Sequence, residues 1–85
     1  MQQEFFPREV TSDAPKMTLT GSGRLLVEQH KGLLDCQADG ISMRTAAGIL
    51  AIGGEELILM RYTKDEALVV GRILSLTLHP EGRRT

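Results

Sequence analysis

Glycine breaks this chain into short pieces, and that spacing constrains the fold more than any other feature. Past Lys16 the apolar residues come in short runs divided by glycine-containing turns, among them Gly21-Ser22-Gly23, Gly32, Gly40, Gly48, Gly53-Gly54 and Gly71. A helix that buries one face needs roughly ten or more residues at a 3.6-residue period. No stretch offers that without a glycine. Short, closely spaced segments of β-branched and aliphatic residues read instead as strands. The candidates are 17–20, 24–30, 33–37, 41–45, 49–53, 57–62 and 67–78. The expected fold is all-β: a single small antiparallel β-meander closing into a roll, sandwich or partly open barrel. Residues 16–80 form one domain in this reading, with a flexible N-terminal arm at 1–15 and a C-terminal tail at 81–85.

Register follows from the turns, because side chains alternate between the two faces of a strand. A turn at Lys31-Gly32 places Leu25 and Val27 on one face with Leu34 and Cys36. A two-residue turn at Asp39-Gly40, where both residues tolerate positive φ, sets Cys36 opposite Met43 and Asp35 opposite Arg44. The same face continues through Ile41, Met43 and Thr45. A turn at Ala47-Gly48 adds Leu50 and Ile52, a loop at 53–56 adds Leu57 and Leu59, and a loop at 63–66 adds Leu68 and Val70. One set of turns thus keeps one face almost wholly apolar through six strands, and such agreement between independent local signals marks a foldable pattern.

The second face is polar early (Glu28, His30, Asp35, Gln37, Ser42, Arg44) and apolar late (Ile49, Ala51, Ile58, Met60, Tyr62, Val69). A sheet with one solvated face does not change character in this way, so the late half needs a cover. Gly71 interrupts the last strand, as glycine does at a bulge or bend. Ile73, Leu74, Leu76 and Leu78 beyond it can fold across the sheet. The other cover is a second copy of the chain, a homo-oligomeric contact. The candidate contact residues are therefore Ile49, Ile58, Met60, Tyr62 and Val69. Phe5 and Phe6, just before Pro7 in the arm, are a second candidate site.

Chemistry-bearing residues are sparse. The register gathers Glu28, His30 and Asp35 beside Arg44, which reads as a solvated polar face: one imidazole falls short of the usual structural metal site. Cys36 is expected to face the core with no base beside it, an inert setting for a thiol. No catalytic residue, metal or cofactor is assigned. The net charge of −1, with both signs scattered, argues against nucleic-acid binding driven by charge. The longest apolar runs are four residues, against about 20 for a membrane span. One cysteine and no basic, apolar leader point to a soluble cytosolic protein.

Three blocks carry a family resemblance. They are Met17-Thr18-Leu19-Thr20-Gly21 followed by Leu26-Val27-Glu28-Gln29-His30-Lys31-Gly32-Leu33-Leu34, the run from Thr45 through Gly53-Gly54-Glu55-Glu56 to Leu59, and Leu68-Val69-Val70-Gly71-Arg72-Ile73. Together they resemble the YabP/YqfC family of bacterial sporulation proteins, most nearly its YqfC branch. The resemblance implies a non-enzymatic protein of an endospore-forming, Firmicute-type bacterium. It implies production in the cytoplasm of the mother cell during sporulation, action by protein–protein contact, and a YqfD-like membrane protein as partner, which would bring it to a membrane or the forespore. The alternative is a small RNA-binding ring protein, because Val70-Gly71-Arg72-Ile73 also resembles the second motif of Sm-like barrels.

Overall fold

A computed structural model describes residues 14–80 of the chain. Six strands make one antiparallel sheet: β1 (Lys16–Thr20), β2 (Arg24–Glu28), β3 (His30–Gln37), β4 (Gly40–Thr45), β5 (Gly48–Tyr62) and β6 (Glu66–His79). Their order across the sheet is β1-β2-β6-β5-β4-β3. The all-β class is as the sequence implies, and the sheet does not close into a barrel. The strands β3 to β6 form a meander. β1 and β2 are a separate hairpin attached to the far side of β6, over 66–70.

The long β5–β6 hairpin is the spine, with strands of 15 and 14 residues. The expected loop at 53–56 is instead a run of irregular pairing inside β5, with register shifts between Gly53 and Gly54, Glu55 and Ile58, and Leu59 and Arg61. Each extra residue bends a strand and increases its twist. The total bend is large. His30 pairs with Thr45, which pairs with Gly48 at the start of β5. Thr63 lies just beyond the other end of β5, roughly 50 Å from Gly48 if the strand were straight at about 3.3 Å per residue. Yet the His30 ring meets the Thr63 carbonyl at 2.8 Å. The sheet therefore rolls over on itself and supplies its own second layer.

The core lies inside the roll. Leu25 and Val27 come from β2, Ile41 and Met43 from β4, Leu50, Ile52 and Leu57 from β5, and Ala67, Val69 and Ile73 from β6; Leu33 and Leu59 pack against them. Alternation in β2, β4 and the first half of β5 is as expected. Elsewhere several expectations are corrected. Lys31-Gly32 is not a turn: the chain breaks strand at Gln29, in the left-handed region at φ 70°, and runs straight on into β3. The amides of Gln29 and His30 both point at the Asp65 carbonyl, so β2 is handed to β6 and β3 to β4. The β3–β4 turn is Ala38-Asp39, because those two carbonyls accept the Leu57 and Gly54 amides of the bent β5. With that turn and two bulges in β3, Cys36 faces Ile41 and Asp35 faces Ser42. Cys36 is exposed rather than in the core. The next turn is Ala46-Ala47, closed by the Thr45 hydroxyl, which donates to the Gly48 carbonyl and accepts from the Ala47 amide. In β6 the inward residues are Ala67 and Val69, not Leu68 and Val70. The end of β6 does not fold across the sheet but stays paired with β5 as far as His79.

Candidate protein-contact surface

The outer face of the roll carries the largest exposed apolar side chains of β5. Ile58 sits opposite Val70, so the two share the outward face. Met60 is the extra residue of the bulge between Leu59 and Arg61, and the bulge turns it out of the ladder. Ile58 and Met60 are 59% and 60% exposed. Farther across the same face Leu26 pairs with Leu68. Leu26 is half-buried and Leu68 is buried, at 7% exposure, so the face grades from covered to open toward β5.

Charge rims this face. Arg61 Nη2 reaches Glu66 Oε1 at 2.6 Å, and Arg72 Nη1 reaches Glu55 Oε1 at 3.4 Å. Both pairs are solvent-exposed and contribute little to stability, about 0–1 kcal/mol each. Their use is at a contact, where rim charges select the partner and its orientation.

The structure brings together only part of the expected set. Tyr62 is half exposed at the end of β5. Its ring stacks on His30 at 4.8 Å and its hydroxyl accepts the Leu33 amide, so it is tied into the fold. Ile49 lies at the opposite end of β5, half-buried between Arg44 and His79. Val69 is fully buried and belongs to the core, which removes it from any contact surface. Three apolar residues in a row, Leu68-Val69-Val70, carry no alternation to say which faces inward. Phe5 and Phe6 lie outside the described residues. Leu26 and Val70, neighbours of the open patch, were not singled out by sequence. The alternation of β2 against a buried Leu25 and Val27 was the available signal.

The polar constellation does not assemble. His30 is 3% exposed. Its Nδ1 accepts the Gly32 amide at 3.0 Å, which leaves the proton on Nε2, donated to the Thr63 carbonyl. Both nitrogens are used by the backbone. Asp35 is exposed and hydrogen-bonds Gln37. Among the described residues no three His, Cys, Asp or Glu side chains converge on a metal position. An open groove of about 530 Å³ runs past His30, lined also by Gln29, Lys31, Gly32, Tyr62, Lys64 and Asp65. No helix among the described residues is long and apolar enough to cross a membrane.

Comparison with known proteins places these observations. A family model, the YabP family, matches residues 11–85. The curated relative described as "Uncharacterized protein YqfC" of Bacillus subtilis (strain 168) is 27% identical over 67 residues, covering 79% of this chain and 72% of the relative. No solved structure matches.

Proposed function

This chain belongs to the YabP family, a sporulation-associated family, and from that premise we propose that it is a non-enzymatic sporulation factor acting by protein–protein contact. The observation that carries the reading is the open outer face at Ile58 and Met60, two large apolar side chains more than half exposed on one strand. Exposed apolar side chains grouped within a polar rim are the usual mark of a contact site. Burial would drive association at about 25 cal/mol per Å² of apolar surface, and the Arg61–Glu66 and Arg72–Glu55 rim would orient it. The family resemblance supports the mother cell as the setting and a YqfD-like membrane protein as the partner. An RNA-binding ring is not favoured: the net charge is −1, and Tyr62, the one Phe, Trp or Tyr among the described residues, has its ring against His30.

The test is Met60→Asp. Because Met60 is outward and on a bulge, the variant should melt within a few degrees of the parent. Binding to the purified soluble part of a YqfD-like partner should fall at least about tenfold, as expected for a charge set into an apolar contact. Sporulation efficiency in a strain carrying the variant should fall with it. A variant that folds, binds and sporulates like the parent would remove this face from the function. One that unfolds would place Met60 in the core.

A further inference from the structure

Beyond the Ile58–Met60 face, a second surface carries an inference of its own: the open edge of β6. On one side β6 pairs with β5 as far as His79. On the other side β2 covers only 66–70, and the Gly23 and Ser22 carbonyls accept the Gly71 and Ile73 amides. Past Ile73, among the described residues, nothing pairs with that edge. Natural edge strands are blunted by charge, proline or extreme shortness. The segment Leu74-Ser75-Leu76-Thr77-Leu78 has neither charge nor proline.

The side chains add a second reason. Leu76 and Leu78 lie opposite Ile52 and Leu50, both core residues, and so share the inward face. Yet they are 39% and 40% exposed, and Leu74 is 61% exposed. The core layer is open at the same place where the hydrogen-bond ladder is open. A strand added there completes both.

The occupant must be extended and apolar at alternate positions. Residues 81–85, Glu-Gly-Arg-Arg-Thr, have no large apolar side chain. In 1–13 the aromatic pair is adjacent and followed by Pro7, which has no amide proton to donate. Among the described residues both β1, with Met17 and Leu19 open at alternate positions, and β6 itself have that pattern; a β1–β6 contact would be head-to-tail, whereas β6 against β6 is self-complementary and closes. We infer that two copies of the chain pair antiparallel through residues 74–78 of β6, about a two-fold axis at Leu76. That register sets Leu76 against Leu76, Leu74 against Leu78 and Ser75 against Thr77. No like charges meet across it, and the contact is isologous, closing at two copies.

Light scattering after size exclusion, on the full chain from about 10 µM to about 1 mM, tests this, because the mass of a self-associating protein depends on concentration. The mass should rise from one chain toward two. Amide exchange at 74–79 should slow by about tenfold or more over the same range, as expected when an open edge becomes paired. Leu76→Lys should hold the chain monomeric throughout. Thr77→Lys, at an exposed position, should do the same without touching the core, and serves if Leu76→Lys fails to fold. Met60→Asp should leave the pairing intact. A monomer at every concentration overturns the inference. So does a dimer whose slowed amides lie in β1 or at 58–62. Slow exchange at 74–79 that is independent of concentration also overturns it, because the chain's own terminal residues would then be the cover.

Discussion

His30 ties together the start of β3 and the tip of the β5–β6 hairpin. Its Nε2–H donates to Thr63, its Nδ1 accepts from Gly32, and its ring stacks on Tyr62. Beside it Gln29 and His30 direct their amides at Asp65. Replacing His30 by Ala removes two hydrogen bonds of about 1 kcal/mol each and a ring contact of about 0.5–1.5 kcal/mol. His30→Ala should therefore lose roughly 2–4 kcal/mol in urea unfolding, the sum of those terms. A loss below about 0.5 kcal/mol, the size of an ordinary surface change, would mean that the roll is held elsewhere. Gly71 acts by what it lacks. Its φ is +132°, and a Cβ there would stand 2.5 Å from the Glu56 carbonyl oxygen and 2.9 Å from the Leu57 Cα. Those are backbone atoms, with no flexible side-chain end to yield. Gly71→Ala should cost about 2–3 kcal/mol from overpacking and backbone strain, read as a lower melting temperature.

Among the elements, the β5–β6 hairpin bears the fold and its bulges bear the surface. The bulge that turns Met60 outward belongs to the same series that bends β5 back to His30, so curvature and contact face have one local cause. β1 is the opposite extreme. Every one of its residues is exposed, and among the described strands it pairs with β2 alone. Few buried contacts mean a low local opening free energy. Amide exchange should therefore be fastest in β1 and slowest where β4, β5 and β6 carry the core, at Met43, Leu50 and Val69. Equal protection in β1 and β5 would show instead that β1 opens only with the whole domain.

Across the whole molecule, a single sheet does the work of two layers. A chain of 85 residues buries only about 60–65% of its unfolded surface, and among the described residues this one leaves several apolar side chains open, among them Ile58 and Met60 on the outer face and Leu76 and Leu78 on the inner row. Met60→Asp and Leu76→Lys separate these two pairs, the first acting on partner binding and the second on self-association. Much of the fold was legible in the chain. The absence of helix among the described residues followed from glycine spacing, and the inward residues Leu25, Val27, Ile41, Met43, Leu50 and Ile52 followed from period-two alternation, because a strand has only two faces. β3 was misread because its two bulges carry no composition signal and change which residues face β4; Cys36 still lies opposite the inward Ile41, and it is open to solvent because β3 is the edge of the sheet. The partner of β2 was misread because backbone ladders form equally well between any two strands. What assigned β2 to β6 was the left-handed turn at Gln29 and its bond to Asp65, 36 residues away. Local pattern thus determined that the chain is strands and which face of most strands is apolar. Which strands meet, where the sheet rolls, and hence which apolar residues stay open to a partner depend on contacts between residues far apart in sequence, and only the tertiary structure decided them.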